Sequence, residues 1–346
     1  MSAALAVLAG ASLVGNSYSQ SRADGYQGAD KILIPTSAWP CGMPEGIPVP
    51  ERGVPVFTAT VQIDQIYDLG RTPYGRRQVL VLREGTITGD KLNGTVMTGG
   101  LDFQLSFSNR AMEIEQVFVL RASDGKYIYV HVAGTAADQT DVRVVPDFEA
   151  PNAGSNNWLN SGKYAARRVV DTAAKTMKLT VFDVSGIAVA TDGKNSLHIT
   201  KPGDVLDQPT GPRRAAAGET RGEQLIVEQV TLAGSQSVGA TKNGVRNIIP
   251  ITGGSLSGKI AGKILFGGAD YQKLSNPATL DARYLWQTAE GDVLIVHNAG
   301  PINSLVPTFE VSLDSKYAFL NRGKYLSSSP GMGAGGVSLT FFESKE

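Results

Sequence analysis

Two histidines recur in one sequence context. His131 lies in the run Tyr127 to Gly134, and His297 lies in the matching run Val293 to Gly300, each just after an acidic-Gly pair, Asp124-Gly125 and Glu290-Gly291. The preceding segment carries a carboxylate in both cases, Glu115 and Asp281, and the second adds Arg283. An imidazole beside a carboxylate is suited to general acid-base work near neutral pH, and a guanidinium or phenol can donate to a developing oxyanion. Tyr164 and Tyr325 end two copies of a Leu-Asn-x-Gly-Lys-Tyr block, where a phenol either donates to a ligand carbonyl or packs in a core. His131, Glu115, Tyr164, His297, Asp281, Arg283 and Tyr325 are therefore the candidate catalytic group. A duplicated structural histidine fits the same pattern.

Other chemistries lack their residues. The chain has 346 residues, with 32 Lys plus Arg against 32 Asp plus Glu, so no net field favours nucleic acid or an anionic membrane. Cys41 is alone and cannot form an intramolecular disulfide, and the three histidines show no zinc spacing. No nucleophile elbow, phosphate-binding loop or dinucleotide fingerprint is present, and the Gly-rich run Gly331 to Gly336 reads as a hairpin loop. The expectation is a site with no metal and no cofactor that takes apolar small molecules. Phe103, Phe118, Trp158, Tyr271 and Trp286 are candidates for its apolar wall, with Gln104 and Gln272 as polar contacts. The aromatics are equally compatible with core positions, and the two glutamines with inner hydrogen bonds.

The elements that must position these residues come in two copies. Gly85 to Gly89 recurs as Gly254 to Gly258, Gly99-Gly-Leu-Asp-Phe-Gln104 as Gly267-Gly-Ala-Asp-Tyr-Gln272, and Trp158 to Tyr164 as Phe319 to Tyr325. The separation drifts from 169 to 161 positions, the trace of a few loop deletions. Within the copies, alternation sets the facing of side chains. Tyr127, Tyr129 and His131 share one face, and Val293, Ile295 and His297 share its counterpart. Whether Glu115 and Asp281 face inward or outward stays open. An inward carboxylate needs a partner such as Arg283 or a ligand.

Short runs of β-branched and aromatic residues between glycine turns predict an all-β fold, most economically two tandem homologous antiparallel β-barrels of lipocalin-like form, because closure removes sheet edges. The expected boundaries are a signal peptide at 1–20, an extended arm at 21–53, barrel repeats at 54–185 and 222–346, and a turn-rich linker at 186–221. The N-terminal apolar run resembles a secretory signal, although its positively charged start is missing. The protein is then expected in the secretory pathway or outside the cell, and otherwise in the cytoplasm. No run reaches the length of a membrane-spanning helix, so stable membrane insertion is not expected. Duplication can supply within one chain the symmetric contact that a homodimer makes, so a monomer or a homodimer is compatible.

The blocks Gly-Gly-x-Asp-x-Gln, Ala282-Arg-Tyr284 and Leu-Asn-x-Gly-Lys-Tyr resemble a widespread family of small β-barrel domains, the domain of unknown function 3237 family. The resemblance covers most of the chain from residue 54 onward, and the tandem form is similar to fungal hetero-Diels-Alderases of tropolone sesquiterpenoid biosynthesis. It implies a cofactor-independent cyclase of fungal secondary metabolism that joins a tropolone quinone methide to a humulene-type sesquiterpene. A non-catalytic carrier of an apolar molecule and a dehydratase or isomerase of an aromatic or polyketide intermediate fit the same residues. Copy one departs from the pattern with Gln116-Val-Phe118 where copy two has Ala282-Arg-Tyr284, so the copies offer either two unequal pockets or one shared site.

Overall fold

The computed structural model describes residues 29–32, 47–187, 198–209, 211–333 and 336–345; the expected signal peptide lies outside them. The first barrel closes completely. Around it run Val54–Thr72, Thr176–Asp183, Tyr164–Asp171, Arg143–Glu149, Tyr127–Ala136 and Met112–Ala122, which pairs with Gly94–Val96 and Leu101–Ser106. Both of these pair with Gly75–Thr88, and that strand returns to Val54–Thr72. The second barrel runs Val306–Glu310, Val293–Pro301, Thr279–Thr288, Gly262–Lys273, Gly244–Gly258, Thr220–Leu232, Gly336–Lys345 and Tyr325–Ser327. A 3.1 Å bond from Ser327 N to Leu305 O nearly closes it. All of these pairings are antiparallel, and the two-tandem-barrel reading holds.

Period-two alternation sorts the side chains. On Met112–Ala122 the residues Ile114, Phe118 and Leu120 fill the first barrel, so Glu115, Val117 and Val119 point outward. Phe57, Phe148 and Tyr164 meet edge to face in that interior. Trp286, Phe309, Tyr325 and Phe341 form the corresponding cluster in the second barrel.

The Leu-Asn-x-Gly-Lys-Tyr block is a plug for each barrel. Its Leu159 or Leu320 is buried, and Asn160 accepts from Ala150 N at 2.8 Å and donates to Ala150 O at 2.9 Å. Asn321 repeats this on Val311 at 2.9 Å for both bonds. A Cβ on Gly162 or Gly323 would meet the hydroxyl of Tyr164 or Tyr325 at 2.1 or 1.9 Å, so glycine there lets the ring lie across the barrel end.

The outer faces are buried as well. Residues Ile47 and Val205, from the arm and the linker, cover an apolar patch of the first barrel with Leu105, Phe107 and Val145. The barrels cover each other through two apolar clusters that correspond position by position. One joins Val79, Val81 and Phe103 to Leu265, Leu285 and Ile295; the other joins Val119 and Tyr129 to Val238, Ile248 and Tyr271. Ion pairs repeat the same symmetry. Arg77 donates from Nε and Nη2 to Glu310 at 2.9 and 2.8 Å, and Arg246 grips Glu149 with the same two nitrogens. Thr72 donates to Glu310 at 2.6 Å and Thr241 to Glu149 at 2.7 Å. The two halves therefore meet as an isologous dimer would, about a pseudo-twofold axis.

Candidate functional site

The repeated histidines and carboxylates converge at this inter-barrel contact. Strands Met112–Ala122 and Tyr127–Ala136 present Glu115 and His131 outward from the first barrel, and Thr279–Thr288 and Val293–Pro301 present Asp281, Arg283 and His297 toward them. His131 Nε2 lies 2.7 Å from Glu115 Oε1, and His297 Nε2 lies 2.7 Å from Asp281 Oδ1. Arg283 joins the two dyads. Its Nε donates to Asp281 at 3.1 Å, and its Nη1 reaches across the interface to Glu115. These five side chains form one shared cluster, outside both barrels.

The cluster is half-covered, with side-chain exposures of 15% for Arg283, 21% and 22% for the histidines and 33% for both carboxylates. Burial opposes ionisation of Glu115, but the Arg283 charge and the His131 contact overcome it and hold the carboxyl well below the usual range. Asp281 is held down in the same way by Arg283 and His297. Burial also opposes the charge on Arg283, and the carboxylates of Asp281 and Glu115 outweigh it, fixing the guanidinium as a cation. Each imidazole thus stands against a carboxylate that stays ionised. Among the described residues no group of three or more His, Cys, Asp or Glu side chains could hold one.

The remaining candidates divide among other compartments. Phe103 stands directly opposite Glu115 across the strand pair, and Tyr271 packs on Tyr129 at 5.5 Å between ring centroids, so these two aromatics border the cluster. Phe118, Tyr164, Trp286 and Tyr325 fill the barrel interiors, away from the dyads. Burial, reinforced by Glu343, pushes the Tyr325 phenol up to about 12. Trp158 sits against Tyr164 at the plug of the first barrel, with Lys91 Nζ 5.8 Å from its ring centre. Gln104 and Gln272 point inward, and Gln272 donates to Asp270 at 2.8 Å. The aromatic wall expected from sequence is therefore not a single surface. It is split because Phe118 and Trp286 alternate to the opposite strand face from Glu115 and Asp281.

Three further polar residues belong to the site's surroundings. Tyr129 shares its face with His131, and the Arg246 guanidinium lies 4.6 Å from its ring centre. Glu149 anchors Arg246 from the first barrel; burial opposes its ionisation, and the Arg246 bonds and charge hold it below the usual range. The shared face of Tyr129 and His131 was legible as alternation, whereas the Arg246–Glu149 pairing carries no local sequence signal.

Two segments, residues 52–185 and 223–304, match the family model described as "Protein of unknown function (DUF3237)", which together is more than half of the chain. The chain belongs to the DUF3237 family. A UPF0311 protein of Clostridium acetobutylicum is 28% identical over 115 residues, 33% of this chain and 68% of that protein. A UPF0311 protein of Bradyrhizobium diazoefficiens is 42% identical over 66 residues, so that alignment spans 18% of this DUF3237 chain and 43% of that protein. Among solved structures, a β-barrel-like protein of Acinetobacter baumannii aligns with TM-score 0.35 at 19% identity, over 38% of this chain and 94% of that one. An enzyme from Penicillium herquei aligns with TM-score 0.31 at 19% identity, over 37% and 92%.

Proposed function

We propose that this DUF3237 chain is a cofactor-independent enzyme of the dehydratase-cyclase type. In this reading the inter-barrel dyads remove water from a hydroxymethyl-bearing tropolone or phenol, and the quinone methide so formed is captured by an alkene in a hetero-Diels-Alder addition. The observation that carries the reading is the paired His–carboxylate dyads, bridged by a single guanidinium and still open to solvent. Elimination needs a base for the ring hydroxyl and an acid for the departing hydroxyl, and two dyads supply two proton-transfer groups. The hydroxyl leaves as water and the ring keeps an exocyclic methylene conjugated to a carbonyl. The addition then forms one C–O and one C–C bond without a further proton transfer, so its acceleration comes from holding the partners in place. A humulene-type sesquiterpene is the alkene that the family resemblance suggests.

Docking does not demand this chemistry at the centre, since the Arg77–Glu310 and Arg246–Glu149 pairs and two apolar clusters already hold the barrels. The Arg283–Glu115 contact favours a second reading, in which the cluster is only a structural tie between barrels. A chiral chromatographic time course with a hydroxymethyl tropolone and humulene separates the two. The enzyme reading expects one stereoisomer to form faster with native protein than with buffer or heat-denatured protein, with loss of most of that rate in His131→Ala/His297→Ala at unchanged stability. Product at the buffer rate with the native chain, or an unimpaired double variant, refutes it. Stoichiometric binding without turnover would identify a carrier.

A further inference from the structure

The interiors of the two barrels differ at one corresponding place. In the first barrel Asp102 is fully buried and receives the Arg168 guanidinium bidentately, Nε to Oδ2 at 2.8 Å and Nη2 to Oδ1 at 2.9 Å. Gln116, directly opposite Asp102 across the strands, also donates to it. The residue opposite Gln116 on the next strand is Val132. The row is therefore acid, amide, valine, closed over by an arginine.

The second barrel keeps the acid and loses everything that satisfied it. Asp270 takes the place of Asp102, Ala282 that of Gln116 and Asn298 that of Val132, in the same cross-strand row. The strand that carries Arg168 runs Tyr164–Asp171 in the first barrel, but its counterpart stops at Ser327, and exposed Ser329 stands where the arginine would be. Asp270 accepts only from Gln272 at 2.8 Å and from Asp281 N at 3.2 Å, and no ion pair reaches it among the described residues. Burial without a counter-charge pushes its carboxyl up to about 6. Asn298 is 1% exposed, its Nδ2 donates to Ser327 at 3.4 Å, and its Oδ1 has no partner among the described residues. A buried acceptor left unpaired costs on the order of 1–3 kcal/mol, which a donor from outside would relieve; in the first barrel Gln116 Oε1 is likewise unpaired among the described residues, so the difference between the rows lies in the counter-charge on the acid. Asp270 and Ala282 are half-buried rather than sealed, so this row is within reach of solvent.

We propose that the inner face of the second barrel around Asp270, Ala282 and Asn298 binds a small planar N–H donor cation, of the guanidinium or amidinium class, where Arg168 and Gln116 sit in the first barrel. The first barrel shows the chemistry that this scaffold accommodates at the position: a planar fork matched to a carboxylate. Asn298 adds an acceptor that Val132 cannot offer. The slot backs onto the inter-barrel cluster, because Asp281 bonds Asp270 through its backbone and His297 through its side chain. It is nonetheless a separate site, independent of the function proposed for that cluster.

The test is calorimetric titration of the full chain with methylguanidinium at constant ionic strength, with methylammonium as the non-planar comparison. Wild-type protein is expected to bind methylguanidinium saturably, with about a tenfold loss of affinity in Asp270→Asn. Ala282→Gln, which restores the residue that the first barrel carries, is expected to weaken binding to a similar degree by refilling the slot. Asn298→Val, also a first-barrel residue, gives an independent variant with an intact fold if either of the others melts early. Absence of saturable binding in the wild type, affinity unchanged in the folded variants, or equal binding of methylammonium overturns the proposal.

Discussion

Glu228 is a carboxyl that the second barrel keeps protonated. It is fully buried in the interior, where Oε1 accepts from the Tyr284 hydroxyl at 2.7 Å and Oε2 from Trp286 Nε1 at 3.1 Å. Burial pushes it up to about 8, and the two hydrogen bonds offset only part of that rise. In the unfolded chain the same carboxyl ionises near its ordinary 4.5. A group whose folded pKa is raised contributes stability that is fully present below the unfolded value and lost as pH rises through the folded one. The full span corresponds to about 5 kcal/mol at most, at ~1.4 kcal/mol per unit. Asp270, raised to about 6, adds a loss of the same sign at lower pH, so the interval from pH 6 to 8 isolates Glu228. Over that interval the second barrel is expected to lose about 2–3 kcal/mol. The assay is urea denaturation at a series of pH values, followed by the fluorescence of Trp286, which touches the carboxyl. Glu228→Gln is expected to flatten the profile between pH 6 and 8, and the difference between the two profiles removes every other titration. Parallel profiles for wild type and Glu228→Gln would refute an internal neutral acid.

The interface supports two further predictions. Arg77→Ala and Arg246→Ala each strand a buried glutamate, Glu310 or Glu149, and each is expected to cost about 3–5 kcal/mol in urea denaturation; a loss under ~1 kcal/mol in both would show that these pairs do not hold the barrels together. Gly267→Ala would place a Cβ 2.7 Å from Val81 Cγ1 of the other barrel at a φ of +109°, with an expected loss of about 1–3 kcal/mol. Val81→Ala in the same chain should recover the steric part, and no recovery would place the cost in the backbone alone.

Fold class was legible because the signals that specify it are local. Glycine turns and β-branched runs recur in order, and each copy reads as strands without reference to the other. The site was legible as a set of residues but not as a place. Met112–Ala122 is buried along nearly its whole length, since the barrel interior takes one face and the second barrel takes the other. Where both faces are apolar, alternation says which residues share a face, not which face is inside. Glu115 and His131 were thus assigned a common setting while their outward direction stayed open. Glu228 escaped notice because Thr220–Leu232 mixes polar and apolar residues like a half-exposed strand. Comparison between copies would have flagged it: Ala59, Phe118 and Leu120 line the first barrel where Glu228, Tyr284 and Trp286 line the second. Three apolar residues were exchanged together for an acid and its two donors.

These exchanges explain what a covalent tandem permits that a homodimer does not. In a symmetric pair every residue near the twofold axis appears twice, so a guanidinium between the carboxylates would bring a second guanidinium with it. Here the counterpart of Arg283 is Val117, fully buried beside Tyr271 in an apolar cluster. One cation therefore serves two anions, leaving the two-carboxylate, one-guanidinium centre with net negative charge before the histidines are counted. The same freedom let the second barrel drop the arginine and glutamine that close the first, at the level of Ala282 and Ser329, without opening the first barrel in turn. One half keeps the acid of this row paired to an arginine, while the other leaves it without a counter-charge among the described residues.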